Sequence, residues 1–153
     1  MIICIAADHG GWERKEMVRV FLESQKSESY TIVDVIPELD NSDNYPEVAQ
    51  KMADFISKNE ENSPQNTCFG IAFCGTGQGI CMALNRFPFI RAGISMDPEI
   101  VALIRQHNHA NVLCLPGRFG TDEEVKQAVS IFLSTPVDSS NRHILRVQQL
   151  GNI

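Results

Sequence analysis

Five short apolar runs, each followed by a stretch of helical periodicity, constrain this 153-residue chain more than any other feature of it. IICIAA at 2–7 reads as a first strand, after which Trp12, Val18, Phe21 and Leu22 keep helical phase to about Gln25. YTIVDVI at 30–36 is a second strand, ended by Pro37. Pro46 suits the first turn of a helix to about Asn59, with Val48, Met52, Phe55 and Ile56 turned inward, and the polar stretch NEENSPQN closes it as a loop. TCFGIAF at 67–73 is a third strand, followed by a helix from about Gly79 to Arg86. IRAGISM at 90–96 is a fourth, and Asp97 with Pro98 opens a helix that runs to His107 or Asn108. ANVLCL at 110–115 is a fifth, and Thr121 with Glu124 forms a capping box for a helix to about Ser134. After a turn at TPVDSSN, NRHILRVQQL reads as a last amphipathic helix.

Strands that alternate with helices in this way predict a Rossmann-like, doubly wound, five-stranded parallel sheet. The expected architecture is a three-layer α/β/α domain over residues 1–153 with a C-terminal helix. Ligands of such folds bind beyond the C-terminal ends of the strands. The sequence puts Asp8 and His9, Cys74, Asp97 and Arg118 there, although strand-to-helix loops are polar in any protein. A net charge of −6 argues against a nucleic-acid surface. No run approaches the roughly 18 apolar residues of a membrane span, and MIICIAADHGG lacks the basic-then-apolar pattern of a leader. These features point to a cytoplasmic protein without nucleic-acid or membrane partners.

The loop AFCGTGQGI at 72–80 carries the chemical signal. The five cysteines, at 4, 68, 74, 81 and 114, include no C-x-x-C pair, so neither structural zinc nor a disulfide framework is expected. Cys4, Cys68 and Cys114 lie inside apolar runs as small hydrophobes, whereas Cys74 stands where a strand ends and glycines begin. A dinucleotide fingerprint would need glycine where Ile80 stands, although Asp97 lies at the spacing of a ribose-binding acid. A receiver domain would need a carboxylate where Cys74 stands. The remaining reading is an anion cradle of backbone N–H groups from Gly75 to Gly79 beside a thiol base, with Thr76 as a proton relay. That pairing suits proton abstraction next to a carbonyl. Against it stands an inert buried Cys74. Likewise His107 could simply cap a helix, and Arg118, Arg142 and Arg146 could be either a phosphate clamp or solvated surface cations.

The segments ADHGGWERKE (7–16), IVDV (32–35), NYPEVA (44–49), FCGTGQGICMALN (73–85), IRAGI (90–94), QHNHANVL (106–113) and NRHILRV (141–147) span nearly the whole chain. In that order they resemble the type B ribose-5-phosphate isomerases, within the group that includes galactose-6-phosphate isomerase subunits. The resemblance implies an aldose–ketose isomerase that uses no metal and no cofactor and acts on a sugar phosphate. By that resemblance Asp8 and His107 assist ring opening, Cys74 moves the proton between C2 and C1, and Thr76 protonates the intermediate. The Gly75, Gly77 and Gly79 amides hold the enediolate, and Asn108 and Tyr45 contact sugar hydroxyls. His9, Arg118, Arg142 and Arg146 take the phosphate contacts. Ribose 5-phosphate is the implied substrate, with a 6-phosphohexose of the allose or galactose type as the alternative.

Departures from the family pattern are Asn44 for Asp, His109 for Asp, Pro116-Gly117 for a small-residue pair, Met96 for a polar residue, and a long loop at 59–66. Topology adds a requirement. A helix starting at Asp97 leaves the edge where Cys74 lies, and about ten residues at 1.5 Å each carry His107 and Asn108 roughly 15 Å away. If all of these residues meet one substrate, a second subunit must supply some of them, so a homodimer or tetramer with a shared site is expected.

Overall fold

The computed structural model describes residues 1–25, 30–62 and 68–151, with 60–62 described by backbone alone, and all five apolar runs form one parallel sheet. The elements are β1 (Ile2–Ala7), α1 (Trp12–Ser24), β2 (Thr31–Asp34), α2 (Tyr45–Asn62), β3 (Cys68–Cys74) and α3 (Gln78–Leu84). They continue with β4 (Ala92–Ile94), α4 (Pro98–Asn108), β5 (Val112–Pro116), α5 (Asp122–Ser134) and α6 (Asn141–Leu150). The fold class is the expected one, with boundaries shifted by a few residues. In particular α2 continues to Asn62 where a loop was read from Asn59. The rest of that loop, 63–66, and Thr67, read as the start of the third strand, lie outside the described residues. Among the described residues, no helix is long and apolar enough to cross a membrane.

Alternation along β1 and β3 sorts side chains by size. Cys4, Ala6, Ala72, Cys74 and Cys114 face the layer of α2 and α3. Ile3, Ile5, Phe69, Ile71, Phe73, Leu113 and Leu115 face the layer of α1, α4 and α5. Small residues let α2 lie close: a Cβ on Gly70 would come within 3.0 Å of Met52 Sδ. Buried on both faces, these strands carry almost no polar residue. Two caps read from sequence are in place: Asp97 accepts from Ile100 N at 3.0 Å, and Thr121 and Glu124 form the capping box.

The strand order is β2-β1-β3-β5-β4. The direction in which successive strands are added to the sheet reverses between β1 and β3, which makes the crevice at their C-terminal ends the switch point of the sheet. Because β5 rather than β4 adjoins β3, with Cys74 in register with Pro116, the residues after β5 reach that crevice. Asp97, after edge strand β4, is instead the cap of α4.

One polar contact inside this frame is costly to disturb. Lys15 of α1 is fully buried, and its Nζ donates to Asp34 Oδ2 and to the Ile36 carbonyl oxygen, both at 2.6 Å. The same ammonium lies 3.6 Å from the Trp12 ring centroid. Together these contacts tie the first turns of α1 to the exit of β2. Removing one partner of a buried pair leaves the other charge unmatched, so Lys15→Ala should lower the unfolding free energy by about 3–5 kcal/mol in urea denaturation. Asp34→Asn in the same chain should recover part of that loss. A single-variant cost below about 1 kcal/mol would mean that solvent already screens the pair.

Candidate functional site

The three central strands end within reach of one another. After β1, Asp8 N donates to the Phe73 carbonyl at 3.3 Å, and the chain turns so that Gly11 N donates to Asp8 Oδ1 at 3.1 Å. After β5, Gly117 N donates to the Cys74 carbonyl at 2.8 Å and Arg118 N to the Gly75 carbonyl at 3.1 Å. The loops touch so closely that a Cβ on Gly117 would overlap the Gly10 carbonyl oxygen. This explains why Pro116-Gly117 departs from the family pattern without disturbing the site. The proline ends the strand, and only a glycine fits beside Gly10.

Cys74 is the last residue of β3 and is 4% exposed. Gly77, left-handed at φ 77°, turns the chain back so that its own N–H donates to Cys74 Sγ at 3.1 Å. Thr76 is exposed on the loop, its Oγ1 accepting from Gln78 N at 3.3 Å. The Tyr45 ring lies over the loop, and a Cβ on Gly79 would sit 2.9 Å from its Cζ. Arg118 crosses Gly75, where a Cβ would be 3.4 Å from the guanidinium Nε. Asp8, His9, Tyr45, Cys74, Gly75, Thr76, Gly77, Gly79 and Arg118 therefore share one edge of the sheet.

Asp43 belongs to this group and was not singled out in the sequence. Its Oδ1 accepts from His9 N at 2.8 Å and lies 3.1 Å from His9 Nδ1, and its Oδ2 is buried without a hydrogen-bond partner. The carboxylate that Asn44 lacks thus stands one residue earlier. The signal was present in the sequence SDN, but a loop register gives no means to choose between neighbours.

The remaining residues gather at the other edge. His107 and Asn108 end α4, just ahead of β5, and Arg142 and Arg146 ride on α6, which packs on α4. Arg105 pins the end of α4: it donates to the Ala110 carbonyl and lies 4.6 Å over the Phe69 ring. His109 follows in the left-handed region at φ 50°, and its Nε2 is 3.0 Å from the Asp138 carbonyl oxygen. Its departure from the family Asp is a cap that also anchors the approach to α6. Met96 packs against Gly120 and is likewise structural. His143, unremarked in the sequence, is 2% exposed and stacks on His107, centroids 4.2 Å apart and planes within 5°. Donor atoms of His107, Asp138 and His143 lie within 4.8 Å of one another, the spacing of a cation site. An ion bound by imidazole lies in the ring plane, and two parallel stacked planes share no such point. Arg142 Nε also donates to His143 Nε2 at 3.1 Å, so the trio is arranged for stacking.

Of the displaced titrations, those of Asp8 and His143 bear most directly on these two edges. Burial pushes the Asp8 carboxyl up, against the His9 charge and the Gly10 and Gly11 N–H groups, and Asp43 adds to the rise. Burial pushes the His143 imidazole down, helped by His107 and Arg142 and opposed by Asp138.

The chain matches the Ribose/Galactose Isomerase family over residues 3–150. A probable ribose-5-phosphate isomerase B of Mycoplasma pneumoniae is 40% identical over 149 residues, covering 97% of this chain and 91% of that protein. A crystal structure of a ribose 5-phosphate isomerase from Thermotoga maritima superposes with a TM-score of 0.86 at 36% identity, covering 99% of this chain and 98% of that one. Ribose-5-phosphate isomerase B from Mycoplasma genitalium, solved with bound ribulose-5-phosphate, superposes with a TM-score of 0.84 at 36% identity over 99% and 94% of the two chains.

The raised Asp8 titration carries a stability consequence with a definite sign. A carboxyl whose folded pKa lies above its unfolded value favours folding in its protonated form and opposes it once ionised. Asp8→Asn keeps the oxygen that accepts from Gly11 N and removes the charge. The variant should therefore melt above wild type at pH 8, and the gap should close as pH falls towards about 4. A difference independent of pH would show that Asp8 is not strained by ionisation.

Proposed function

Because the chain belongs to the ribose/galactose isomerase family, we propose that it interconverts ribose 5-phosphate and ribulose 5-phosphate through an enediolate, with Cys74 as the base. The observation that carries this reading is the buried thiol of Cys74 accepting the Gly77 N–H inside a glycine loop. A base beside a row of backbone donors suits removal of a proton next to a carbonyl.

The steps follow from the side chains. Asp8 takes the anomeric hydroxyl proton while His107 protonates the ring oxygen, which opens the furanose to the aldehyde. A carboxyl with a raised pKa works closer to neutral pH as a base than an ordinary aspartate does. Cys74 thiolate then removes the C2 proton. The electron pair forms the C1–C2 double bond, and the charge on O1 meets the N–H groups of Gly75 and Gly79, while the Gly77 N–H, expected from the family resemblance to join them, is turned to the sulfur. Thr76 protonates O1 and takes the O2 proton, and Cys74 returns its proton to C1 to give the ketose. Since α3 is only 7 residues long, the loop N–H groups, rather than a helix dipole, provide the stabilisation. Tyr45 and Asn108 hold hydroxyls, and His9, Arg118, Arg142 and Arg146 hold the phosphate. Asp43 fixes His9 through Nδ1 and leaves Nε2 for a phosphate oxygen.

The active unit in this reading is a homodimer, with His107, Asn108, Arg142 and Arg146 supplied to each Cys74 by the partner subunit. Support comes from the length of α4, whose 11 residues at about 1.5 Å each span roughly 15 Å. Exposed Met82 on α3 and Leu145 and Leu150 on α6 supply apolar surface for such a contact. So does a groove of about 790 Å³ between the 85–93 segment and α6, with Asn108 at its wall.

Two measurements test the reading. Cys74→Ala should lower kcat for ribose 5-phosphate about 10²–10⁴-fold with little change in melting temperature. Activity within a few-fold of wild type would make Cys74 structural. Mixed with inactive His107→Ala protein under conditions of verified subunit exchange, the Cys74→Ala protein should regain activity. One site of each heterodimer would then hold both native residues, and no recovery would refute sharing.

A further inference from the structure

We infer that His143 is a positioning residue for the reaction proposed above: stacked on His107, it fixes the plane of that imidazole and joins it rigidly to the helix bearing Arg142 and Arg146. The inference rests on the proposed role of His107 as the acid that opens the sugar ring.

The geometry explains why a stack is needed here. His107 lies in the last turn of α4, half-buried, on an end that α6 covers. A histidine at such an end would turn freely about its side-chain bonds, yet a proton donor must be held within about 10–20° of its working direction. His143 supplies a parallel surface at 4.2 Å and is itself 2% exposed, so it cannot swing away. Its helix is fixed from the other side, where Asp138 N donates to the Gln106 carbonyl at 3.0 Å and His109 Nε2 meets the Asp138 carbonyl oxygen.

The proton inventory fits a plate rather than a second acid. Arg142 Nε donates to His143 Nε2, so the neutral ring carries its proton on Nδ1, which is buried without a hydrogen-bond partner. The charged or titratable groups facing this ring are His107 from α4, Arg142 and Arg146 from α6, and Asp138 from the turn before α6. Three of the four disfavour a second positive charge. His143 therefore stays neutral while His107 takes up and gives the proton. The stack also links the sugar-contacting residues of α4 to the phosphate-contacting arginines of α6, so the two approach a substrate as one body.

The test compares His143→Ala, which removes the plate, with His143→Phe, which keeps it. For ribose 5-phosphate, the alanine variant should lose about 10–100-fold in kcat with KM within about threefold of wild type. The phenylalanine variant should stay within about threefold of wild type in both. The His107 ring proton signals in NMR should be shifted upfield in wild type and in the phenylalanine variant, and should move downfield in the alanine variant. In wild type, His143 should titrate below the ordinary value of about 6.5, and its midpoint should rise in His107→Ala. An alanine variant with wild-type kcat overturns the inference. So does a phenylalanine variant as slow as alanine despite a restored His107 signal, since that would give His143 a chemical role. Should neither variant fold, independent ordinary titration of both rings in wild type without an upfield shift overturns it as well. A wild-type protein without isomerase activity removes the reading on which the inference rests, whatever the resonances show.

Discussion

A helix that follows a parallel strand runs back antiparallel to it, and this constraint decides where every residue of the site can be. It sends α4 away from the edge where β3 ends in Cys74 and delivers His107 and Asn108 at the opposite edge. With α6 folded onto α4, Arg142 and Arg146 join the same end. One edge thus holds the thiol, the amide cradle, Asp8 and Asp43; the other holds most of the cationic groups. The phosphate contacts of the proposed reaction are thus divided, His9 and Arg118 at the first edge and Arg142 and Arg146 at the second, and that division is what the proposal of a second subunit answers.

The first edge depends on sheet order as much as on side chains. Placing β5 beside β3 brings the Gly117 and Arg118 amides onto the Cys74 and Gly75 carbonyls, which continues the ladder past the strand ends. The loops can then close only because Gly10, Gly11 and Gly117 present backbone to backbone. Crowding of that kind removes water from Asp8, and the same removal raises its pKa. The Asp8 titration is therefore set by a backbone packing event at three loops, with His9 and two amides restraining the shift.

Local signals carried much of this into the sequence. Strand alternation, the Asp97 and Thr121 caps, and the thiol at a glycine turn all depend on residues within a few positions of one another. Strand order does not, and without it Asp97 read as a neighbour of Cys74 when it caps a helix on the edge strand. Lys15 with Asp34, Asp43 with His9 and His143 with His107 are separated by 19, 34 and 36 residues, and no periodicity reports such pairs. The HNHANVL segment shows the divide within a single motif. Its His107 and Asn108 stand out by the family resemblance as candidates for the proposed site, while Asn111 turns inward, accepting from Arg91 N and donating to the Phe89 carbonyl.

The thiols show how position separates the proposed base from packing residues of the same type. All five cysteines are buried, and all lie in the cluster facing α2 and α3, where small side chains let the helices come close. Burial raises the pKa of Cys4 and of Cys114 well above the ordinary thiol value, which keeps them inert. Cys81 moves the other way through hydrogen bonds from Cys114 and Asn85, yet it sits inside α3, away from the loop N–H groups that could stabilise a reacting oxygen. Cys74 continues the same stripe on β3 for the same packing reason. It differs because the strand stops there, and Gly77 in its left-handed turn aims an amide at the sulfur. Move that sulfur two residues back along β3, to where Ala72 stands, and it would be one more small core side chain. In the proposed reaction the strand end and the glycine turn make the site, and Cys74 serves as the base because it stands where they meet.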